Sequence, residues 1–530
     1  MSAATADHEI VAVTDSENGP YLPSPPSDDE LYWYFGPQRR WVLIAVSLSY
    51  SFTAVSLFRF ALRHPALWAF LAVLALNAAG FALSLVDGQR ARRLTREGHE
   101  LLVRAWRPVR VPAVDVFLPT CGEPLAVLRN AYRHVAALDW PGPLTVWVLD
   151  DADRQGVRAL AEAYGFEYVV RPDRGHLKKA GNLNHALTVS RAQAVAILDA
   201  DFCPRSDFLR HLVPYLDQPD IGIVQSPQHF DTEPSMHWLQ RAAGAAQEWF
   251  FRWLQPSRDA SDAAICCGSN AVYRRAALDR IGGFARLDHS EDMYTGLELL
   301  RHGYRTRYVP VLLATGLSPD NLSAFVNQQY RWAMGNLHLL TYRGLRRLAG
   351  PLALRVAYGN GVLSYLLAAV NVFAAPLPPL VMMVWFPTEI RPWHVLPLMA
   401  PAWVWFVLLP AVSRTRWRVE VIRAHLMVSF AAAAAVWHTL RRRSATWTPT
   451  GQSGARSRLA RRVGRLALAW LAATTVAAWL CLAWDVARYG PSQYWGVAGY
   501  VAIGSYLTVP LIVDLWRACR PAALTRLEKP

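Results

Sequence analysis

Apolar stretches long enough to cross a bilayer bracket a middle region of quite different character, and this limits the fold more than any other feature. A span takes roughly 20 apolar residues. Runs at about 41–58 and 66–86 meet that length, the first at the short end, and runs return at 356–386, 395–412, 464–484 and 495–516. Charged residues make up 18% of the chain, below the roughly 25% of an ordinary soluble domain. A wholly soluble protein is therefore excluded. A bare helical bundle is excluded too, because the central stretch carries most of the Asp and Glu.

The arginines supply an orientation. The formal net charge is +15, and the only lysines are Lys178, Lys179 and Lys529. Much of the Arg excess sits beside the apolar runs, which fits the bias of cytoplasmic flanks toward basic residues better than a nucleic-acid patch. Arg39 and Arg40 precede the first run, and Arg90, Arg92, Arg93 and Arg96 follow the second. Arg59 and Arg63 in the short connection oppose this weakly. Segment 415–443 is apolar but interrupted by Glu420, Arg423 and His425, and reads as a helix lying in the interface. With 356–386 as one span, two spans precede the middle region and four follow it. Arg414, Arg416, Arg418, Arg441 to Arg443, Arg461, Arg462 and Arg517 then fall on the cytoplasmic side. Pro376, Pro378 and Pro379 leave open that 356–386 is two helices.

Residues 1–38 carry seven acids among the sequence's early positions and no Lys or Arg. They lack the basic start and apolar run of a signal peptide and read as a disordered acidic tail. The six cysteines form no C-x-x-C pair and no zinc spacing, so the soluble part is expected in a reducing compartment.

Between 113 and about 311, short apolar runs alternate with helical stretches. The runs are Val114–Leu118, Leu144–Leu149, Tyr168–Val170, Ala194–Leu198 and Ile221–Val224. Strands alternating with helices imply a parallel α/β sheet, and such sheets bind ligands beyond the carboxyl ends of their strands.

Chemistry is therefore sought at those ends. Asp199-Ala200-Asp201 follows an apolar strand, and alternate strand residues point the same way. Two carboxylates so placed suit Mg²⁺ or Mn²⁺, although the same pair serves equally as turn or cap residues. Asp150-Asp151 ends another run and admits the same two readings. Lys178-Lys179-Ala180-Gly181-Asn182-Leu183-Asn184 suits a tight turn, either solvated or beside a phosphate. Ser290-Glu291-Asp292 opens a helical stretch, as an N-cap followed by two acids or as the seat of a general base, Asp292. At helical spacing, Gln328 shares a face with Arg331 or Trp332. Arg331 suits a pyrophosphate and Trp332 a sugar face or a membrane interface. Cys266-Cys267-Gly268-Ser269-Asn270 reads as a buried strand with a glycine turn.

Taken together and in this order, these elements resemble the processive family 2 glycosyltransferases, bacterial cellulose synthase catalytic subunits above all. Pro119-Thr120-Cys121-Gly122-Glu123 resembles the family's P-T-Y-N-E, Lys179-Ala180-Gly181-Asn182 its K-A-G-N, and Cys267-Gly268-Ser269 its C-G-S. Asp199-x-Asp201 resembles the D-x-D, Ser290-Glu291-Asp292 the T-E-D, and Gln328-x-x-Arg331-Trp332 the Q-x-x-R-W. The resemblance implies a GT-A (Rossmann-like) cytoplasmic domain inserted between transmembrane α-helices. Thr120, Glu123, Asp150, Asp151 and Lys179 would hold a UDP-sugar, with Asp199 and Asp201 at its diphosphate and at Mg²⁺ or Mn²⁺. Glu291 and Asp292 would be the catalytic carboxylates, Asp292 deprotonating the acceptor. Cys267, Gly268, Ser269, Gln328, Arg331 and Trp332 would hold the growing polymer.

The expected layout is a tail at 1–38, a transmembrane hairpin at 39–88, the GT-A domain with interfacial helices at 89–350 and transmembrane helices at 351–412. An interfacial helix and gating-loop-like segment at 413–463 then precede a transmembrane hairpin and short cytoplasmic tail at 464–530. The implied activity is inverting, processive synthesis of a β-glycan at the bacterial inner membrane, cellulose from UDP-glucose first. Chitin, hyaluronan, mannan, a β-1,3-glucan or a glycolipid product are the alternatives. The implied partners are the nucleotide sugar, the growing polysaccharide, membrane lipid and an accessory export subunit, with no nucleic acid. The short stretch after the last apolar run leads to no expectation of a cyclic-di-GMP-binding PilZ domain.

Overall fold

A computed structural model describes residues 21–36, 39–342, 352–443 and 457–519. The middle region builds a mixed sheet. Its strands, numbered with those of a smaller sheet, are β1 (Val114–Thr120), β2 (Leu144–Asp150), β3 (Glu167–Val169), β4 (Ala194–Ile197), β5 (Cys203–Pro204), β6 (Ile221–Gln225), β7 (His229–Phe230), β8 (Ala271–Arg274), β9 (Arg305–Tyr308) and β10 (Ala314–Gly316). Seven of them form one sheet in the order β3-β2-β1-β4-β8-β6-β9, and β5-β10-β7 form the other.

The five apolar runs are β1, β2, β3, β4 and β6 within two residues at each end. The sheet is not purely parallel, however. β8 runs antiparallel between β4 and β6. The register of the parallel pairs positions the site. Thr120 is level with Asp150, and Phe117 with Ile197, so β1, β2 and β4 end side by side. The centre of the sheet is dry: Val116, Phe117, Val148, Val195 and Ile197 have no exposed surface. Helices cover both faces, which explains why these strands read as continuous apolar runs rather than alternating ones.

Residues 21–36 depart from the expected disordered tail. They lie along the catalytic domain. Asn130 Nδ2 donates to the Pro23 carbonyl at 2.8 Å, and Arg205 Nη1 to that of Pro26 at 2.8 Å. Leu312 N donates to Leu31 O at 3.0 Å, and Tyr34 is buried. Asp28 and Asp29 are exposed, while Leu31 and Tyr34 are buried and anchor the segment. Residues 1–20 lie outside the described residues.

Among the described residues, seven helices are long and apolar enough to cross a membrane: Arg40–Arg63, Pro65–Gly88, Leu352–Trp385, Pro392–Val412, Glu420–Leu440, Arg458–Tyr489 and Trp495–Cys519. Their connections sort to two ends. At the catalytic domain, Arg258 pairs with Asp87 at 2.6 Å, Thr415 N donates to Glu248 at 2.9 Å, Ser457 Oγ meets Asn327 at 2.9 Å, and Trp238 Nε1 donates to Asp514 at 2.9 Å. At the far end, His64 meets Glu389 at 3.3 Å and Tyr494 Oη donates to Pro387 O at 2.9 Å. Leu352–Trp385 therefore runs from one end to the other once, bent where Pro376 interrupts it.

Glu420–Leu440 behaves differently. Glu420 at its start pairs with Arg241 at 2.8 Å, and His438 near its end meets Tyr330 Oη at 2.7 Å. Residues at both ends of this helix thus contact the middle region. Its apolar window is also 39% buried, against 6–22% for the other six. Exposed tryptophans mark both ends of the helical layer: Trp385, Trp393, Trp484 and Trp495 at the far end, Trp41, Trp437 and Trp516 near the domain. Trp495 and Trp516 lie on one helix, and the rise between them is about 32 Å, the thickness of a hydrocarbon core with aromatic belts at its two faces.

Candidate active site

A cleft of about 800 Å³ opens over the ends of β1, β2 and β4. It gathers residues scattered over more than two hundred positions: Thr120, Glu123, Asp151, Lys179, Asp199, Asp201, Cys267, Glu291, Asp292, Gln328, Arg331 and Trp332 all line it. Three expected residues do not reach its wall. Asp150 is fully buried and accepts from Ala152 N at 3.0 Å, Arg154 N at 2.8 Å and Tyr168 Oη at 3.0 Å. It closes the turn after β2, which is the cap reading of the acidic pair. Gly268 and Ser269 stand behind the wall as supports. Ser269 Oγ accepts from Asp199 N at 2.8 Å, and the Gly268 carbonyl accepts from Lys179 Nζ at 2.8 Å.

The Lys178–Asn184 stretch forms a helix, Lys178–Val189, rather than the expected tight turn. Its entry is sharp, with Leu177 and Lys178 both at positive φ. Asn182 Nδ2 donates to Leu149 O at 2.7 Å, and Asn184 exchanges hydrogen bonds with the Phe284 backbone at 3.0 and 2.9 Å. The two amides thus staple the helix to β2 and to the segment before Asp292. Lys179 then projects at Asp199, with which it is in direct hydrogen bond.

Asp151 is held by a residue that the sequence does not single out. Arg171 has no exposed side-chain surface and grips Asp151 with Nε at 2.6 Å and Nη2 at 2.9 Å. The same guanidinium donates to the carbonyls of His176 and Lys178, the latter at 3.2 Å, and so ties the 171–178 loop to the end of β2. Gly181 is required here, because a Cβ would lie 2.2 Å from Arg171 Nη1. In a chain this rich in Arg, nothing in the sequence distinguishes Arg171. Tyr21, Gln228 and His289 also line the cleft without a sequence signal.

The charges are poised rather than neutralised. Burial pushes Asp201 up to about 7, helped by Asp199 and Glu123. Burial works against the Lys179 ammonium, but Asp199, Glu291 and Asp292 outweigh it and hold the charge. Burial lowers Arg331 to about 10, opposed by Glu291 and Asp199. Asp292 sits at the start of helix Glu291–Arg301, where the helix dipole favours its ionised form. Burial and the adjoining Glu291 nonetheless raise it to about 7, the range of a general base. Ser290 occupies the cap position at positive φ and makes no side-chain cap. Gly268 leaves the carboxylate its space, since a Cβ there would lie 2.8 Å from Asp292 Oδ2.

A second cavity, about 510 Å³, runs from the site into the apolar helices. Its walls include Val46, Phe81, Ser84, Tyr365, Ala424 and Val428. The two cavities share Gln228, Cys267, Ser290, Asp292 and Trp332. The raised carboxylate therefore stands where the cleft over the strand ends meets the cavity in the helical layer. The gating-loop-like segment around Trp447–Gly451 lies outside the described residues.

Among known families, the model of glycosyl transferase family group 2 matches residues 194–484, more than half of the chain. The chain is 37% identical over 265 residues to the cellulose synthase catalytic subunit [UDP-forming] of Xanthomonas axonopodis pv. citri (strain 306), covering 48% of this chain and 36% of the relative. To the corresponding subunit of Pseudomonas fluorescens (strain SBW25) it is 36% identical over 307 residues, covering 56% and 40%. To the cellulose synthase 1 catalytic subunit of Komagataeibacter xylinus it is 34% identical over 278 residues, covering 51% and 37%. The matched stretch thus spans well under half the length of these relatives. Among solved structures, the chain is similar to the mannosyltransferase PcManGT from Pyrobaculum calidifontis in complex with GDP-Man and Mn²⁺, at 19% identity and a TM-score of 0.48, covering 69% of this chain and 98% of that one.

Proposed function

Because the chain belongs to glycosyl transferase family group 2, we propose that it is a membrane-embedded, inverting and processive glycan synthase, most simply one that makes cellulose from UDP-glucose. The observation that carries this reading is the position of Asp292, shared by the donor cleft and the cavity in the helical layer. A base at that junction serves an acceptor arriving from the membrane side and a donor arriving from the strand ends. The relatives named as UDP-forming cellulose synthases support the sugar and the nucleotide.

The nucleotide would lie along Thr120, Glu123 and Asp151, with its diphosphate toward Asp199, Asp201 and Lys179. A divalent cation fits this site. Asp201 is a half-buried carboxylate raised by desolvation and by its acidic neighbours, and Asp199 beside it is shared with a single lysine. No set of three or more His, Cys, Asp or Glu ligands forms among the described residues, so diphosphate oxygens would complete the shell. Asp199 and Asp201 would hold the ion, which would offset the leaving group's charge.

Asp292 takes the proton of the acceptor hydroxyl. The freed oxygen attacks the anomeric carbon opposite the departing diphosphate, the bond to that diphosphate breaks, and the configuration inverts. Arg331 holds the leaving diphosphate's charge. Trp332 at the junction offers its indole face to the terminal sugar. The catalytic domain faces the cytoplasm, since the flanks at 90–96, 414–418 and 441–443 carry the larger share of arginine.

The test uses full-length protein in lipid vesicles with Mg²⁺ or Mn²⁺ and a panel of UDP-sugars. UDP release with UDP-glucose alone, a cellulase-sensitive polymer and a silent Asp292→Asn variant are expected. A lipid-sized product would overturn the polymer reading, and turnover of a different UDP-sugar would overturn the choice of glucose.

A further inference from the structure

Residues 21–36 cross the catalytic domain as a strap, and the strap fastens the smaller sheet. In that sheet β5 and β7 are two residues each and β10 is three. Strands this short cannot hold a sheet together by themselves. The strap reaches all three. Asn130 Nδ2 is shared between the Pro23 carbonyl at 2.8 Å and Cys203 Sγ of β5 at 3.1 Å. Arg205, the residue after β5, donates to Pro26 O at 2.8 Å and pairs with Asp28 at 2.7 Å. Leu312 N, two residues before β10, donates to Leu31 O at 3.0 Å. At β7, the Tyr21 hydroxyl donates to Asp231, the next residue of the chain. The rings of Trp33 and Tyr34 both meet His229 of β7 edge to face, with centroids 6.4 Å apart.

What the smaller sheet carries is one end of the Asp199–Asp201 turn. Asp199 is fixed from the main sheet, by Ser269 and Lys179. Asp201 instead leads through Phe202 directly into β5. Phe202 packs edge to face on Phe230 of β7, with centroids 5.6 Å apart. It also rests on Gly316 of β10, where a Cβ would lie 2.5 Å from its ring. Tyr21, Leu22, Phe202 and Phe230 line the donor cleft together with Asp201. The strap therefore reaches the cleft in two ways, by its own first side chains and by the sheet that it ties down. It lies outside residues 194–484, the stretch that the family model matches.

We propose that the strap is a positioning element of the active site: by fastening β5 and β7 it sets Asp201 for the divalent cation, and Tyr21 and Leu22 complete the cleft wall beside that carboxylate. This rests on the reading above that Asp199 and Asp201 hold such an ion. Groups that orient a metal ligand from outside govern affinity nearly as much as the ligand itself. Asn130 is the tie nearest Asp201 in the chain, because it joins the strap to the residue two positions on. Tyr21 is the corresponding tie to β7. The competing role is a purely stabilising belt, which would raise the melting temperature and leave the cation site as it is.

The Mn²⁺ requirement of UDP binding distinguishes the two. Asn130→Ala cuts the strap from β5 without touching the cleft wall, and is made in the full chain in vesicles. Tyr21→Ala cuts it from β7 and is the variant to read if Asn130→Ala fails to fold. The control is Leu278→Ala, which thins a core that the strap does not enter. Equilibrium binding of UDP is titrated at increasing Mn²⁺, and the melting temperature is followed alongside. The Mn²⁺ concentration that half-saturates UDP binding should rise roughly tenfold in the strap variant, the low end for loss of an outer partner of a metal ligand. It should stay at the wild-type value in Leu278→Ala despite a lower melting temperature. An unchanged Mn²⁺ requirement in the strap variant overturns the positioning role, and so does an equal rise in Leu278→Ala. Wild-type UDP binding that ignores Mn²⁺ overturns the cation reading itself, and the positioning role falls with it.

Discussion

The donor cleft and the cavity in the helical layer meet at Asp292, yet they are built on opposite terms. In the cleft, the carboxylates are fixed from behind while their faces toward the opening stay unbalanced. Arg171 grips Asp151, Ser269 holds the backbone of Asp199, and Gly268 leaves room for Asp292. In the helical layer, Ser84, Asn360, Asn77 and Asn371 are satisfied by each other. Water can serve an open cleft, so charge waits there for a ligand, whereas hydrocarbon serves no polar group, so polar side chains between the apolar helices pair with one another. One half is preorganised, and the other is self-satisfied.

The strongest way to break that contrast is at the junction. Asp292→Asn keeps the shape of the carboxylate and removes the base, so UDP release should fall about 10²–10⁴-fold. Donor binding should survive, since the proposed mechanism sets Asp292 against the acceptor rather than the nucleotide. A variant that loses nucleotide affinity in step with turnover would show that Asp292 belongs to the donor side.

Next comes the support behind the cleft. Arg171→Met leaves the buried carboxylate of Asp151 without its partner, a change that costs about 3–5 kcal/mol in buried pairs. Part of that loss should appear in UDP affinity, reduced by roughly tenfold or more at 1.4 kcal/mol per decade. Titration of the variant with UDP checks this. A drop in melting temperature with unchanged affinity would reduce Arg171 to a structural tie.

How far these features were visible in the sequence follows the same contrast. The ends of β1, β2 and β4 were legible because buried parallel strands read as continuous apolar runs that stop at polar residues. The motif resemblance identified the family, and the family match bears this out. Asp150 was misplaced because a capping carboxylate and a ligand carboxylate look alike until the turn closes around one of them. Asn182 and Asn184 suggested a turn by composition, but their tertiary bonds to Leu149 and Phe284 hold them in a helix. Residues 21–36 looked disordered because their few anchors, Leu31 and Tyr34, are outnumbered by Pro, Ser and acids. β8 and β9 are four residues each, and β9 carries two arginines, so neither has a periodic signal. The polar pairs Ser84–Asn360 and Asn77–Asn371 were invisible because single Asn and Ser residues in long apolar runs gain meaning only when two helices pair them.

A gentler probe is pH. Asp292 must be ionised to accept a proton, and burial with the adjoining Glu291 raises it to about 7. The rate of the chemical step should therefore fall about tenfold between pH 8 and pH 6. Stability should move the other way. A carboxyl raised above its unfolded value binds more protons when folded, so the fold gains as pH falls from about 7 toward the unfolded value near 4. Opposite trends in rate and melting temperature over that window mark a base strained for function. Parallel trends would show that the acid limb is only unfolding.

The smallest expected effect lies in the self-satisfied half. Asn371→Ala removes one interhelical carboxamide, and such bonds average only about 0.6 kcal/mol in membranes. Folding should barely change. If the pair were only glue, product length would follow that small energetic loss and stay near wild type. If instead the pair touches the product, the variant leaves one fewer hydroxyl partner and the chain is released earlier. The size distribution of the product should then shift to shorter polymers by more than the rate of UDP release falls. That ratio of length to rate is the quantity to measure, because Asp292 and Arg171 variants change rate or donor affinity without touching the path beyond the junction. A shift in length confined to Asn77 and Asn371 variants would place the grip on the product in the helical layer, separate from the chemistry that makes it.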